Sequence, residues 1–184
     1  MEKIIILGSS GAGKSTFARK LSPMLQIKVF HLDRFFWGHN WKRKTRHDRM
    51  EWLEKLIFGE KQWIIEGNYF ASLEPAFKEA DTIIFLDIAP LVCLWRIVRR
   101  HHGYRIYPRR DIPEGSTDKL TLSLMIQVLT FPFNDRKRIE QVPLNYHPKY
   151  IIRIRSLKEV KSFLSQEVHI RYAQSIPPSQ PVLK

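Results

Sequence analysis

Short apolar runs rich in β-branched residues alternate along this chain with longer stretches of helical periodicity. The strand-like runs cover Lys3 to Leu7, Ile27 to His31, Trp63 to Glu66, Thr82 to Asp87 and Tyr150 to Arg155. Runs of this kind are typical of strands that helices bury on both faces of a parallel sheet. The pattern therefore predicts a three-layer α/β fold around a five-stranded parallel sheet.

The segments between these runs predict five helices. Apolar spacing indicates a first helix from Lys14 to Leu25 and a second from Asp48 to Phe58. Pro90 suits the first turn of a third helix. A fourth is expected from about Lys119 to Thr130, and a fifth from Ser156, where Ser-Leu-Lys-Glu has the capping-box spacing.

Length and periodicity indicate one domain. A chain of 184 residues with 43% hydrophobic content can build one full core, which we place at residues 1–166. Gly103 to Gly115 combines Arg, Tyr, Pro and Gly without a period, so we expect a lid at about 100–115. Beyond it, residues 167–184 become proline-punctuated, and we expect a mobile tail.

The net charge of the chain indicates which classes of partner it could bind. Thirty-one Lys and Arg against eighteen Asp and Glu give a net charge of +13, which attracts nucleotides, nucleic acid or anionic lipid. A solvated basic surface with phosphate sites explains the charge equally well. No run approaches the roughly 18 apolar residues of a membrane span, so we expect a cytoplasmic protein without a membrane partner. Cys93 lies in an apolar run and is expected to be a buried hydrophobe.

A glycine-rich stretch near the start matches the P-loop pattern GxxxxGK followed by Ser or Thr. Glycines let successive amides turn toward an anion, and the following helix aims its N-terminus at the same phosphates. Lys14 would contact the β and γ phosphates, and the Ser15 hydroxyl would hold Mg²⁺. The stretch therefore predicts binding of ATP and Mg²⁺ by Gly8, Ser9, Ser10, Gly11, Ala12, Gly13, Lys14, Ser15 and Thr16.

Polar residues follow two further strands, where open α/β sheets place their ligands. Asp33 is the candidate general base for an acceptor hydroxyl or an outer-sphere carboxylate for Mg²⁺, with a turn cap as the alternative. Glu66 is the candidate to hold the water shell of Mg²⁺. Gly67 would let the backbone pass close to a ligand, and Asn68 and Tyr69 would bind the acceptor.

Two other polar residues at strand ends are assigned structural roles. Asp87 is followed by Ile88-Ala89-Pro90 and a helix, which favours helix capping over chemistry. His31 is expected to pack at the end of its strand.

Three arginines share a spacing of i, i+3 and i+4 in the third helix. Guanidinium groups can neutralise the charge that spreads over a migrating phosphoryl group. We therefore predict that Arg99 is catalytic and that Arg96 and Arg100 bind substrate; a solvated helix face is the alternative.

Aromatic and basic residues interleave after Asp33. Arg34 and Trp37 are candidates to bind the acceptor, and Trp41 precedes the basic run Lys42-Arg43-Lys44, which continues to Arg49. Aromatic faces next to cations suit a stacked base or single-stranded nucleic acid, while ordinary packing explains them about as well.

Together the segments GSSGAGKSTFARKL, HLD with its two tryptophans, WIIEGNY and DTIIFLD followed by the arginine helix resemble the bacterial DNA topology-modulation protein family, also called FlaR-related. The resemblance spans roughly residues 1–165. It implies a P-loop kinase-like fold similar to adenylate and shikimate kinases, with sheet order 2-3-1-4-5, and an acceptor near Asp33 and Glu66. The family name also implies an effect on DNA supercoiling.

Two hypotheses of function follow. The first is a kinase that moves the γ-phosphoryl group of ATP to a small acceptor such as a nucleoside or nucleotide. The alternative is a nucleic-acid-binding NTPase or regulator that affects DNA topology, with DNA or RNA as partner.

Overall fold

The computed structural model describes residues 1–103 and 120–175. Most of the predicted lid at 100–115 and the end of the predicted tail lie outside this range. The last helix continues to Ser175, beyond the expected end of the domain at residue 166.

Five strands form one sheet: β1 (Lys3–Gly8), β2 (Val29–His31), β3 (Trp63–Glu66), β4 (Thr82–Leu86) and β5 (Tyr150–Ile154). Every pairing in this sheet is parallel, and the order is β2-β3-β1-β4-β5. The predicted fold class and strand order are therefore confirmed.

The described helices outnumber the predicted ones. They are α1 (Lys14–Leu25), α2 (Leu32–Phe36), α3 (Arg46–Gly59), α4 (Phe70–Glu79), α5 (Pro90–Gly103), α6 (Leu122–Thr130), α7 (Asp135–Tyr146) and α8 (Leu157–Ser175). A short 3-10 turn covers His39–Trp41. Sequence patterns missed α2, α4 and α7. Pro75 and Pro143 lie inside α4 and α7, where a proline usually indicates a break.

Alternate residues of the central strand feed two separate cores. Ile5 and Leu7 pack with residues of α3, α4 and α7 on one face of the sheet. Ile4 and Ile6 pack with residues of α1, α5 and α6 on the other. This two-sided burial explains why the strands are apolar throughout.

The carboxyl ends of the strands meet at one edge of the sheet. Glu66 pairs in register with His31 on one side and with Ile6 on the other, and Gly8 is in register with Leu86. Residues that follow these strands are therefore brought together over a single edge, which carries the candidate site.

Candidate active site

The P-loop has the backbone that its glycines allow. Gly8, Gly11 and Gly13 have φ of 149°, 79° and 100°. A Cβ at Gly11 would lie 2.3 Å from the carbonyl oxygen of Cys93, and one at Gly8 would lie 2.6 Å from that of Leu86. Both contacts involve backbone atoms, so a side chain at either position would displace the loop from its neighbours.

The cation of Lys14 lies within the loop. Its Nζ donates to the carbonyl oxygens of Gly8 at 2.9 Å and Ser9 at 3.1 Å. Lys14 is also the first residue of α1, whose N-cap Gly13 offers no side chain to the first amides. The first amides of α1 and the positive end of its helix dipole therefore face the same space as the ammonium group of Lys14.

Ser15 and Glu66 bring two oxygens of the type that Mg²⁺ prefers into contact. The Ser15 hydroxyl donates to Glu66 Oε1 at 2.9 Å, and Glu66 is 4% exposed. A hydroxyl and a carboxylate at this distance fit the hard cation that accompanies a triphosphate. These two residues, at the loop and at the end of β3, are the pair that the sequence predicted for the metal.

His31 has a more specific contact than the predicted packing. Its Nδ1 lies 2.8 Å from Glu66 Oε1. A carboxylate can only accept, so His31 donates through Nδ1. Glu66 is thus oriented from two sides, by His31 and by Ser15.

Asp33 is the second residue of α2 and is bonded to the aromatic residues expected near the acceptor. The hydroxyl of Tyr69 donates to Asp33 Oδ1, and Trp37 Nε1 donates to that hydroxyl oxygen at 2.6 Å. Phe36 packs edge-on against the Tyr69 ring, with centroids 4.9 Å apart. Burial, reinforced by the charge of Asp33, raises the pKa of Tyr69, so the phenol stays neutral.

Asn68 and Gly67 have contacts that the sequence did not reveal. Asn68 Nδ2 donates to the carbonyl oxygen of Gly8 at 2.6 Å, and its Oδ1 accepts from the Gly8 amide at 3.2 Å. A Cβ at Gly67 would lie 3.1 Å from that of Leu32 and 3.2 Å from the Tyr69 ring. Gly67 therefore makes room for Tyr69 and Leu32. It also lines the cavity at the P-loop, and the expected close approach of a ligand to its backbone stays a prediction.

Two of the three predicted arginines reach the loop side of α5. Arg96 Nη1 donates to the carbonyl oxygen of Ala12 at 3.1 Å and approaches that of Gly11 at 3.4 Å. Arg100 lines the same cavity as the P-loop. Arg99 is exposed, with its guanidinium 5.2 Å from the centre of the Trp95 ring. The geometry therefore does not support Arg99 as the catalytic arginine.

The rotation of α5 explains this correction. Ile97 is buried against the core, and each residue of an α-helix turns by about 100°. Arg99 lies about 200° from Ile97 and faces solvent, whereas Arg96 and Arg100 lie on one flank within about 100° of it. The prediction that Arg34 binds the acceptor is not supported for a similar reason. It follows Asp33 in α2, is exposed and does not line the cavity.

A single cavity of about 840 Å³ joins the P-loop to the acceptor-side residues. Its volume is in the usual range for a small-molecule site. Predicted residues that line it include Asp33, Trp37, Asn68 and Tyr69. Residues that the sequence analysis missed come from distant segments: Arg19, Arg43, Thr121, Leu124, Gln127, Phe131 and Asp135. Helices α6 and α7 contribute three of these, and Thr121 and Phe131 are the residues that flank α6. No motif could have indicated these five.

Asp87 does not cap α5. Its carboxylate, 7% exposed, accepts from Arg153 at 2.7 and 2.9 Å and from Arg136. The first backbone hydrogen bond of α5 runs from the amide of Cys93 to the carbonyl oxygen of Ala89. The capping prediction is therefore wrong: Asp87 joins β4 to β5 and α7.

Sequence comparison yields one distant relative. No protein-family model matches the chain. The uncharacterized protein YqaC of Bacillus subtilis (strain 168) is 28% identical over 116 residues, which make up 62% of this chain. The chain spans 64% of the length of that curated relative. Among residues 1–103 and 120–175, no helix is both long and apolar enough to cross a bilayer.

Solved structures share the fold. The shikimate kinase from Acinetobacter baumannii in complex with shikimate is 16% identical, with a TM-score of 0.56 over 96% of each chain. The shikimate kinase from Bacteroides thetaiotaomicron is 17% identical, with a TM-score of 0.50 over 92% of this chain and 97% of its own. None of these matches concerns DNA topology, so the resemblance to the topology-modulation family stays a prediction. What they show is that this chain has the three-layer fold of the P-loop kinases.

Proposed function

We propose that this protein is an ATP-dependent phosphotransferase that moves the γ-phosphoryl group to a small acceptor bearing a hydroxyl or phosphate group. One observation carries the proposal: the P-loop with Lys14 and the carboxylate of Asp33 line the same cavity. A cradle for the donor and an acid for the acceptor thus face one space, which is what positional catalysis of phosphoryl transfer requires.

The donor half of the cavity holds positive charge and oxygen ligands. The amides of the P-loop and Lys14 would bind the phosphates. Ser15 would hold Mg²⁺ directly and Glu66 through water, and the bound ion neutralises charge on the phosphate oxygens. Arg96, fixed at the loop carbonyls, adds a guanidinium that can stabilise the moving phosphoryl group.

The acceptor half offers a base and an aromatic wall. Asp33 would orient the acceptor hydroxyl and take its proton. Trp37, Trp41 and Arg43 line the cavity on this side, and their faces and charge would bind the remainder of the acceptor. A nucleoside, a nucleotide or a molecule of similar size is the class of acceptor that we propose.

A screen of ATP consumption tests this function. Nucleosides, nucleotides and hydroxy acids, shikimate among them, would be added singly to the protein with Mg·ATP. We expect one class to accelerate ADP formation, and Asp33→Asn to abolish that acceleration while ATP still binds in a calorimetric titration. Lys14→Ala should weaken ATP binding, and Lys20→Ala, an exposed change on α1, is its control. Unchanged ATP affinity and turnover in Lys14→Ala would contradict the proposal.

The nucleic-acid alternative rests on the net charge of +13 and on the aromatic-basic segment from Arg34 to Arg49. Lys42, Lys44 and Arg46 are exposed, yet a basic surface also suits an enzyme of nucleotides. We therefore do not propose DNA or RNA as the partner. The cytoplasmic location likewise stays a prediction.

A further inference from the structure

A hydrogen-bond chain of fixed direction runs from Trp37 through Tyr69 to Asp33. The indole Nε1 donates to the phenol oxygen at 2.6 Å, and the phenol donates to Asp33 Oδ1. An indole N–H can only donate, so the phenol oxygen must accept from Trp37. The phenol hydrogen is then directed to Asp33, and Oδ1 serves as the acceptor.

The packing around Tyr69 holds the phenol in this place. Phe36 meets the ring edge-on, and the missing side chain of Gly67 leaves the space that two ring carbons occupy. Tyr69 is the N-cap residue of α4, whereas Asp33 belongs to α2. The phenol therefore connects two segments that follow different strands, and it fixes the orientation of the carboxylate between them.

We infer that Tyr69 is a positioning residue for Asp33, held in turn by Trp37, and that the phenol fixes the carboxylate that takes the acceptor proton. The inference rests on the proposed function. The acceptor oxygen forms a bond to the γ-phosphorus while the bond from that phosphorus to the β,γ-bridging oxygen breaks. ADP leaves with the electron pair of the broken bond, and the acceptor proton moves to the carboxylate of Asp33.

The test needs no knowledge of the acceptor, because water can take its place. We would measure kcat and KM for hydrolysis of Mg·ATP by the unaltered protein, Tyr69→Phe, Asp33→Asn and the double variant. Tyr69→Phe removes one hydroxyl and keeps the packed ring. We expect kcat to fall about tenfold in Tyr69→Phe with KM for ATP unchanged, since the phenol acts on the acceptor side.

The double variant separates positioning from a general structural effect. If Tyr69 acts only through Asp33, the double variant should be no slower than Asp33→Asn alone. Trp37→Phe should lower kcat by about threefold through the same chain. Tyr146→Phe, whose ring stacks on Phe77 away from these residues, is the control and should retain full turnover. Thermal melting of every variant reports whether the fold is intact.

The results distinguish this inference from the function on which it rests. Independent, multiplicative losses in the double variant would overturn the positioning role and leave the phosphotransferase standing. A silent Tyr69→Phe beside an impaired Asp33→Asn would do the same. If neither water nor any compound of the acceptor screen supports turnover of Mg·ATP by the unaltered protein, or if Lys14→Ala and Asp33→Asn both turn over normally, the proposed function fails and this inference fails with it.

Discussion

Arg96 lies against the P-loop, where its Nη1 is 3.1 Å from the carbonyl oxygen of Ala12. The contact holds a guanidinium beside the phosphate cradle. Arginine is well suited to this place because it stays charged and its donors lie in one rigid plane.

Substitutions of Arg96 and Arg99 in α5 should therefore differ sharply in their effect on turnover. Arg96→Ala should lower kcat for ATP turnover by about 100-fold, the range found when one donor to a developing negative charge is removed. Arg99→Ala, the matched change on the exposed face, should stay within about twofold of the unaltered protein. Steady-state kinetics of the two variants checks this, and the reverse ranking would restore the assignment made from sequence.

Gly11 should be far less tolerant of a side chain than Gly59. Gly11→Ala would place a Cβ 2.3 Å from a backbone oxygen at a φ of 79°, and we expect the free energy of unfolding to drop by more than about 2 kcal/mol. ATP binding should also be lost. Gly59 ends α3 with nothing within 4 Å of its Cβ position. Gly59→Ala should therefore raise stability by about 0.5 kcal/mol.

Urea unfolding of both glycine variants, with calorimetric titration of ATP, provides the measurement. Equal effects of the two substitutions on stability would show that the P-loop does not have the tight approach to Cys93 described above.

The ion pairs of Asp87 should contribute measurably to stability. Asp87→Asn removes the charge that Arg136 and Arg153 share, and we expect the free energy of unfolding to fall by about 1–2 kcal/mol. Glu51→Gln is the control, because Glu51 pairs with Lys55 on an exposed face of α3, where such pairs contribute little. Its urea midpoint should not move. A larger shift in Glu51→Gln than in Asp87→Asn would contradict this ranking.

Cys93 should react slowly in the folded protein. It is fully buried, and burial raises the pKa of its thiol. Only the thiolate is the nucleophile, so iodoacetamide at pH 8 should modify the folded protein at least about tenfold more slowly than the urea-unfolded chain. Mass spectrometry over time measures both rates. Equal rates would show that α5 opens readily.

The sign of the accompanying pH effect is fixed by the same shift. Because the pKa of Cys93 is higher in the folded state, its contribution to stability is present below the unfolded value, about 8.5. It is lost as the pH rises from there toward the folded pKa, since the unfolded chain releases the proton first. The free energy of unfolding of the unaltered protein should fall over this window more steeply than that of Cys93→Ala.

The strands could be predicted from sequence because burial on both faces leaves a local signal. The predicted run Trp63 to Glu66 coincides with β3, and the other strands differ by only a few residues at their ends. Helices α4 and α7, which escaped prediction, each contain an internal proline. Helix α1 contains Pro23 as well, but it was predicted because the apolar spacing of Phe17, Ala18 and Leu21 precedes that proline. Leu73 and Ile139 are buried in the core beside the sheet, and this tertiary packing outweighs the local penalty.

Residues that line the cavity could be predicted where their place follows from the ends of strands. The prediction failed where the place of a side chain depends on the rotation of a helix. Glu66 and Asp33 face the cavity because the ends of parallel strands converge. Arg99 was preferred over Arg96 because spacing alone cannot show which flank of a helix faces a loop. That choice is made by Ile97, whose burial sets the rotation of α5.

The side-chain amide of Asn68 pairs with both the N–H and the C=O of Gly8, as the backbone of a neighbouring strand would. Asn68 thus links the P-loop, which would bind the nucleotide, to the loop after β3, which would bind the acceptor. Two hydrogen bonds therefore join the first loop directly to the second. We therefore expect removal of the Asn68 amide to weaken the binding of both ligands.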